Sequence, residues 1–160
     1  MPFKFEVQGF DELQRKLQEL GEKGQQIAAK GLYEGAGVMA DKVSQSVRGI
    51  DTAPFRYAKD GTQRKPSPEE KAILLAARTG VAKFRKDGNS VQTSVGMQNS
   101  GYAKLGNVTK PIPQIANAIN SGTSFMAKQP FFRKAVSQGK GPAEAAIEES
   151  IRKQLEEEQL

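Results

Sequence analysis

The 160-residue sequence contains no cysteine, no histidine and no tryptophan. Without cysteine the chain has no disulfide framework and no thiolate nucleophile. Without histidine it lacks the commonest general base and metal ligand. It has no apolar run of about 18 residues, as a membrane-spanning helix needs, and its first residues lack the apolar core of a signal peptide. We therefore expect an intracellular, soluble chain that uses no cofactor, no metal and no membrane.

Acidic residues are also missing from one long segment. Residues 88–143 contain no Asp or Glu but six basic residues, whereas residues 144–160 contain six glutamates, and the net charge is +6. A basic middle and an acidic end favour either charge pairing between subunits or a basic face turned towards a polyanion. For any single residue, a solvated surface explains the charge equally well.

Apolar content is low, at 37% hydrophobic residues with a mean hydropathy of -0.58. This composition predicts a modest core, either with extended arms or in a subunit completed by its neighbours. The length is that of one domain, 1–160. Within it, residues 48–66 and 98–113 are predicted to be loop-like insertions, because they are rich in glycine, proline and polar residues.

Two segments near the start have clear periodicity. Residues 3–7 alternate apolar and polar side chains and predict a short strand. A leucine helix follows, with Asp11 as its N-cap. A longer helix is predicted from Gln25 to Val47, after interruptions at Gly21 and Gly24. Gly31 and Gly35 lie on the stripe beside its apolar face and are tolerable where another backbone comes close, which favours a helix packed across a sheet or against a partner subunit.

The middle of the chain carries two strong local signals. Ser67 precedes Pro68, and Glu70 stands at the capping-box spacing, so a helix should begin here. The Asp87-Gly88 pair separates two alternating runs and predicts a hairpin.

The last third of the chain predicts a strand, a corner and two helical pieces. Residues 112–120 fit a strand or a short helix, and we favour a strand or a distorted helix-to-strand segment. A helix should begin after Pro130 and be broken or kinked at Gly139 and Gly141, and a C-terminal helix should occupy residues 142–160.

The segment between these pieces is predicted to be a tight corner with an apolar anchor. Gly122 suits a backbone conformation that other residues resist, and hydroxyl side chains can bond to the local backbone. We predict that the corner docks either in the core of its own subunit or against a neighbouring subunit. The residues assigned to it are Gly122, Thr123, Ser124, Met126, Pro130, Phe131 and Phe132.

Catalytic groups are hard to find. The pairs Glu69 with Glu70 and Glu148 with Glu149 are adjacent on helices, so their side chains point about 100° apart and do not converge on one substrate. Ser124 has no nearby base to activate it. We therefore predict that the protein is not an enzyme.

The loop 48–66 combines basic residues with aromatic ones, a composition compatible with contact to another protein, with disorder or with DNA binding. Further basic residues precede the Asp87-Gly88 turn. The candidate DNA-facing residues are Arg56, Lys59, Arg64, Lys65, Lys83, Arg85 and Lys86.

The order of the elements is similar to that of a known family. The opening strand with Gly9-Phe10-Asp11-Glu12-Leu13, the long helix rich in small residues, Thr79-Gly80 before a hairpin, and Gly122-Thr123-Ser124 followed by Pro130-Phe131 carry the likeness. Together they resemble the neck, or tail-completion, proteins of long-tailed bacteriophages, which are minor tail components related to the lambda tail protein Z.

The resemblance implies an α+β fold in which a small antiparallel sheet packs against one long helix, with additional N-terminal and C-terminal helices and long loops. It implies a homo-oligomeric ring, a hexamer or a dodecamer, at the head–tail junction of the virion, assembled in the host cytoplasm. Its partners would be connector or head-closure proteins, the tail terminator and packaged DNA. In this family an acidic residue usually stands two positions before Gly-Thr-Ser, where this chain has Asn120.

Two functional hypotheses follow. The first is a structural ring protein that helps join the tail to the DNA-filled head and lines the DNA passage. The alternative is a small basic DNA-binding protein without catalytic activity. On the first hypothesis, Gly122→Val or Phe131→Ala should damage folding or assembly rather than turnover.

Overall fold

The computed structural model describes residues 3–4, 11–54, 63–88, 90–99 and 101–158. The helices are α1 (Asp11–Glu19), α2 (Glu22–Arg48), α3 (Pro68–Ala77), α4 (Ile112–Ser121) and α5 (Phe131–Glu158). The strands are β1 (Phe3–Lys4), β2 (Thr79–Val81), β3 (Arg85–Asp87), β4 (Ser90–Gln92), β5 (Ser94–Met97), β6 (Tyr102–Leu105) and β7 (Val108–Pro111). The fold class is α+β, as predicted.

In the described ranges the strands form three small sheets instead of the single sheet expected. One has the order β1-β5-β2, with β1 antiparallel to β5. The pairs β3-β4 and β6-β7 are separate antiparallel hairpins. Gly88, with φ of +56°, makes the predicted turn between β3 and β4.

The described chain divides into two compact units. We call the first the corner unit, which comprises Asp41–Thr79 and Met97–Ser137, and the second the helix-pair unit, which comprises Pro2–Ala40, Gly80–Gly96 and Gln138–Leu160. Each unit draws on separate parts of the sequence. That the whole chain forms one domain stays a prediction.

The helix-pair unit is held together by α1, α2 and α5. Its core contains Leu13 from α1, Ile27 from α2, and apolar residues that follow the helical repeat of α5; these are Ile147, Ile151 and Leu155. Leu17 and Leu32 pack against this cluster.

Glycines allow the helices of this unit to approach closely. A Cβ on Gly31 would lie 2.9 Å from Cγ1 of Ile151, and one on Gly35 would lie 3.0 Å from the carbonyl oxygen of Ala143. The close approach predicted at Gly31 and Gly35 is confirmed, but the neighbour at both positions is helix α5 instead of the predicted sheet or partner subunit. Gly24 does not interrupt a helix as predicted. It lies inside α2, where a Cβ would overlap the carbonyl oxygen of Leu17.

The long helix also packs against strands, as the predicted class requires. The hydroxyl of Tyr33 accepts a hydrogen bond from the backbone N–H of Phe84 at 3.1 Å, and the two rings meet edge to face with centroids 5.7 Å apart. The side-chain amide of Gln25 donates to the carbonyl of Gly88 at 3.2 Å. These contacts fix the β3-β4 hairpin on α2.

Residues 112–120, for which a strand was favoured, are helical. Ile112, Ile115, Ala116 and Ile119 are buried at helical spacing, so a single face of α4 enters the core. The two prolines of this segment stand at the N-terminus of the helix, where their fixed φ and missing N–H are tolerated.

The predicted insertion 98–113 is mostly a hairpin. Strands β6 and β7 pair from Tyr102 opposite Pro111 to Leu105 opposite Val108. Gly106, with φ of +60°, supplies the turn. A Gly-Asn pair between two short runs is itself a hairpin signal, and the weak alternation of the flanking residues concealed it.

The last helix is one continuous element from Phe131 to Glu158, so the predicted break at Gly139 and Gly141 and the restart at residue 142 are wrong. Pro142 and Gln138 are both exposed. The carbonyl that loses its partner at the proline can therefore bond to water, and the buried contacts of Ala143 and Ile147 hold the helix together beyond it.

A pair of alanine substitutions in α2 tests the close approach of the helices. Gly35→Ala should lower the free energy of unfolding by about 1–3 kcal/mol, because the new methyl group overlaps the buried Ile147. Gly37→Ala, with nothing within 4 Å of the added methyl, should raise it by about 1 kcal/mol through helix propensity. Chemical denaturation measures both, and equal shifts in the same direction would contradict this packing.

Candidate docking surface

The corner begins where α4 ends at Gly122. This residue has φ of +78° and ψ of 168°, and its N–H donates to the carbonyl of Ala118 at 2.9 Å. A Cβ here would lie 2.9 Å from Cβ of Lys128 and 3.0 Å from its backbone nitrogen. Both the positive φ and the close approach of the returning chain therefore require glycine.

Thr123 closes the turn that follows. Its Oγ1 accepts hydrogen bonds from the N–H groups of Phe125 at 3.2 Å and Met126 at 3.0 Å, and its own N–H donates to the carbonyl of Met126 at 3.0 Å. The carbonyl of Thr123 accepts from the side-chain amide of Gln63 at 2.7 Å. Ser124 is exposed and makes no such side-chain bond within the described ranges.

Gln129 ties the returning chain to two other segments. Its N–H donates to the carbonyl of Ile119 in α4 at 2.7 Å. Its side chain forms two hydrogen bonds with the backbone of Asp51, donating to the carbonyl at 2.6 Å and accepting from the N–H at 2.8 Å. The corner is thereby fixed to the segment that follows α2.

Asn120 of α4 caps the first turn of α5. Its side-chain oxygen accepts a hydrogen bond from the N–H of Phe132 at 3.1 Å. That N–H belongs to the first helical turn, where no partner exists within the helix.

The segment 63–65 pairs with the corner through its backbone. The N–H of Arg64 donates to the carbonyl of Phe125 at 2.8 Å, and the N–H of Ala127 donates to the carbonyl of Arg64 at 3.0 Å. The result is a parallel bridge between Arg64 and Met126. Since Phe125 is bonded through both its N–H and its carbonyl, its position is set by the backbone.

A buried carboxylate, that of Glu70, holds the side chain of Arg64 and so stabilises the backbone pairing between segment 63–65 and the corner. Oε1 of Glu70 lies 2.7 Å from Nη1 of Arg64. The same oxygen faces the N–H of Ser67 at 3.4 Å, while Oγ of Ser67 accepts from the N–H of Glu70 at 3.1 Å. The predicted capping box is confirmed. It does more than begin α3, because it positions the carboxylate that holds Arg64.

A second ion pair is exposed. Nζ of Lys65 lies 2.5 Å from Oδ2 of Asp51, and this hydrogen bond, followed by the lysine charge, lowers the pKa of Asp51 below its usual value. A lowered folded-state pKa contributes stability above the unfolded-state pKa, and that stability is lost as pH falls through the folded value. Solvent screening keeps the contribution small.

The anchor residues enter the core of this chain. Met126, Phe131 and Phe132 are buried in the corner unit, and the two phenylalanine rings meet edge to face at 6.3 Å. Pro130 is exposed and precedes α5. Burial of these side chains means that they fix the corner from inside.

Phe125 has the opposite environment and was not identified from the sequence. Its side chain is 76% exposed, whereas that of Met126 is 4% exposed. Alternation along an extended segment points neighbouring side chains to opposite sides, but the sequence does not show which of the two faces the core. The corner therefore displays one aromatic side chain on a hydrogen-bonded support, an arrangement suited to binding a partner.

The predicted DNA-facing residues are not brought together as one set. Arg64 and Lys65 belong to the corner unit and form the ion pairs described above. Lys83, Arg85 and Lys86 are exposed in the helix-pair unit, in or next to β3. Arg56 and Lys59 lie outside the described residues.

Other kinds of site find little support in the described part of the chain. No group of three or more acidic residues there could hold a metal ion. No helix there is long and apolar enough to cross a membrane. Comparison of the chain with protein-family models, with curated proteins and with solved structures finds no match.

The backbone conformation and close neighbour of Gly122 predict how a substitution there changes stability. Gly122→Ala should lower the free energy of unfolding more than Gly106→Ala does. Positive φ strains a side chain at both positions. At Gly122, where ψ is 168°, the backbone lies in a region that is essentially restricted to glycine, and a neighbour also stands in the way of the new methyl group. Thermal or chemical denaturation measures the difference, and equal losses would show that the contact with Lys128 costs nothing.

The ion pair of the buried Glu70 predicts that removal of its charge lowers stability. Glu70→Gln keeps an oxygen for the capping box but removes the charge opposite the half-buried Arg64, so stability should fall by about 1–3 kcal/mol. The matched control is Glu69→Gln, an exposed neighbour in the same helical turn, which should change stability by less than about 0.5 kcal/mol. Similar values for the two variants would mean that the ion pair does not support the corner.

Proposed function

We propose that this chain is a structural subunit of the ring that joins the head to the tail of a long-tailed bacteriophage. It acts in the virion by binding and not by catalysis. The observation that carries the proposal is the presentation of Phe125 on a corner whose other large apolar residues are buried. The ordered motifs that resemble tail-completion proteins support the head–tail junction as the place where the chain binds its partners.

The construction of the corner supports a binding role. Gly122, Thr123 and Gln129 hold the backbone through hydrogen bonds, and the Arg64–Glu70 ion pair holds the adjacent segment. An exposed aromatic side chain on a fixed backbone loses little conformational entropy when a partner covers it. Its partners in this role are further copies of the chain, connector or head-closure proteins and the tail terminator.

A single exposed position tests the proposal. In a phage that encodes this chain, loss of the chain should leave filled heads and free tails unjoined. Complementation with Phe125→Ala should restore head–tail joining poorly, although the purified variant should melt at nearly the wild-type temperature because the side chain is exposed. Electron microscopy of lysates counts joined particles.

Ser124→Ala is the matched control, since Ser124 is exposed in the same turn, and it should complement fully. Phe131→Ala should fail for a different reason, because removal of a buried phenylalanine costs about 3–5 kcal/mol of stability. Heads and tails that join normally without the chain would refute the proposed function.

DNA binding is a second candidate, favoured by the exposed residues Lys83, Phe84, Arg85 and Lys86 in and next to β3. Basic side chains beside an exposed aromatic ring are typical of surfaces that contact nucleic acid. Such binding should weaken steeply as salt concentration rises. The two roles are compatible, because a ring around packaged DNA needs a positive inner surface.

A further inference from the structure

The net positive charge of the chain belongs to the corner unit. This unit contains 13 basic residues against 5 acidic ones, whereas the helix-pair unit contains 11 against 13. A basic surface attracts polyanions, and the phosphate backbone of DNA is one of them. Charge therefore favours a DNA contact in the corner unit, separate from the candidate residues in and next to β3.

Arg78, which follows α3 in the corner unit, has a strained backbone. Its φ is +53° and its ψ is 150°, and no other residue besides glycine has a positive φ in the described ranges. This conformation is costly for a residue that carries a Cβ. Backbone hydrogen bonds to the segment after β5 maintain it. The N–H of Gln98 donates to the carbonyl of Arg78 at 2.9 Å, and the N–H of Asn99 donates to the carbonyl of Ala77 at 3.2 Å.

The arginine side chain does not compensate for this strain within the described part of the chain. It is exposed, and it forms no ion pair and no hydrogen bond with the described residues. Glycine would adopt the same backbone without strain and is the usual residue just after a helix. Strained residues of this kind cluster at functional sites, so the position points to a role for the guanidinium group outside the chain.

The segments next to Arg78 carry further hydrogen-bond donors. Gln98 is exposed, and helix α3 contacts strand β6. Tyr102, which is 74% exposed, and the exposed Lys104 lie on one face of β6 because they are two positions apart. Residues 88–143 contain no acidic side chain that would repel a phosphate. Arginine, lysine, glutamine and tyrosine are all side chains that contact the phosphates of duplex DNA.

We propose that Arg78 binds a phosphate of duplex DNA, with Tyr102 and Lys104 of the neighbouring strand as further contacts to the same backbone. Contacts of this kind carry no sequence information, so binding is independent of base sequence. The inference goes beyond the proposed function and does not rest on it, because it concerns the purified chain and a free duplex.

Three substitutions separate the backbone of Arg78 from its side chain. Arg78→Gly should raise the melting temperature by about 2–4 °C, because it removes the strain, and it should also weaken DNA binding. Arg78→Gln keeps the strain and removes the charge, so it should weaken binding without raising the melting temperature. Arg78→Lys keeps the charge and should bind more tightly than either. Loss of one phosphate contact should make the slope of log K against log salt concentration shallower by about 0.9.

Fluorescence anisotropy with a labelled duplex measures binding over a range of salt concentrations, and circular dichroism measures melting. The matched control is Arg15→Gln, which removes the same charge from an exposed arginine of the helix-pair unit and should change neither quantity. A wild-type chain that does not bind DNA at low salt, an Arg78→Gln variant that binds as wild type does, or an Arg78→Gly variant that melts below wild type would overturn the inference.

Two further outcomes separate this inference from its alternatives. If Arg78→Gln binds DNA normally but self-associates more weakly than wild type, Arg78 contacts another protein and the inference is wrong. If heads and tails join normally without the chain while Arg78→Gln binds DNA weakly, the proposed function falls and the DNA contact stands.

Discussion

The ion pair between Arg64 and the buried Glu70 is the interaction on which the corner depends. A carboxylate that is only 4% exposed is costly to desolvate unless it is paired and hydrogen-bonded. Glu70 meets that requirement with the guanidinium of Arg64 and the N–H of Ser67. Because Arg64 also pairs through its backbone with Phe125 and Ala127, the helix start, the crossing segment and the corner are stabilised together.

The helix-pair unit depends on a different physical constraint. Its helices pack so closely that there is no room for a side chain at Gly24, which faces α1, or at Gly31 and Gly35, which face α5. Glycine within a helix costs about 1 kcal/mol relative to alanine, and here the cost is offset by the burial of Ile147 and Ile151 against α2. Close packing of small residues explains how a chain with 37% hydrophobic residues forms a core.

Local signals in the sequence predicted much of this structure. The Ser67–Glu70 capping box, the Gly88 turn and the glycine stripe of α2 all depend on near neighbours or on strict spacing. The secondary structure of α4 was harder to predict, because Ile115 and Ile119 fit a helix while the flanking prolines and Gly122 also suit a strand. Continuity of α5 through Pro142 was unpredictable from propensity alone, since tertiary contacts on the far side of the proline maintain it.

The candidate site was less predictable than the fold, because its contacts join residues far apart in sequence. Asn120 caps a helix that begins eleven positions later, and Gln129 pairs with Asp51 across 78 positions. In the sequence Arg64 is one of several basic residues, and its ion pair with the buried Glu70 is visible only in the fold. Phe125 could not be separated from Met126 by pattern, although one is exposed and the other buried.

The central claim is that the chain forms part of the ring between head and tail. Cryo-electron microscopy of the head–tail junction, in a virion whose genome encodes the chain, tests this most directly. The account predicts density for several copies of this α+β fold in a closed ring between connector and tail. A purified, infectious virion that lacks the chain, or that carries it only away from this junction, would contradict the account.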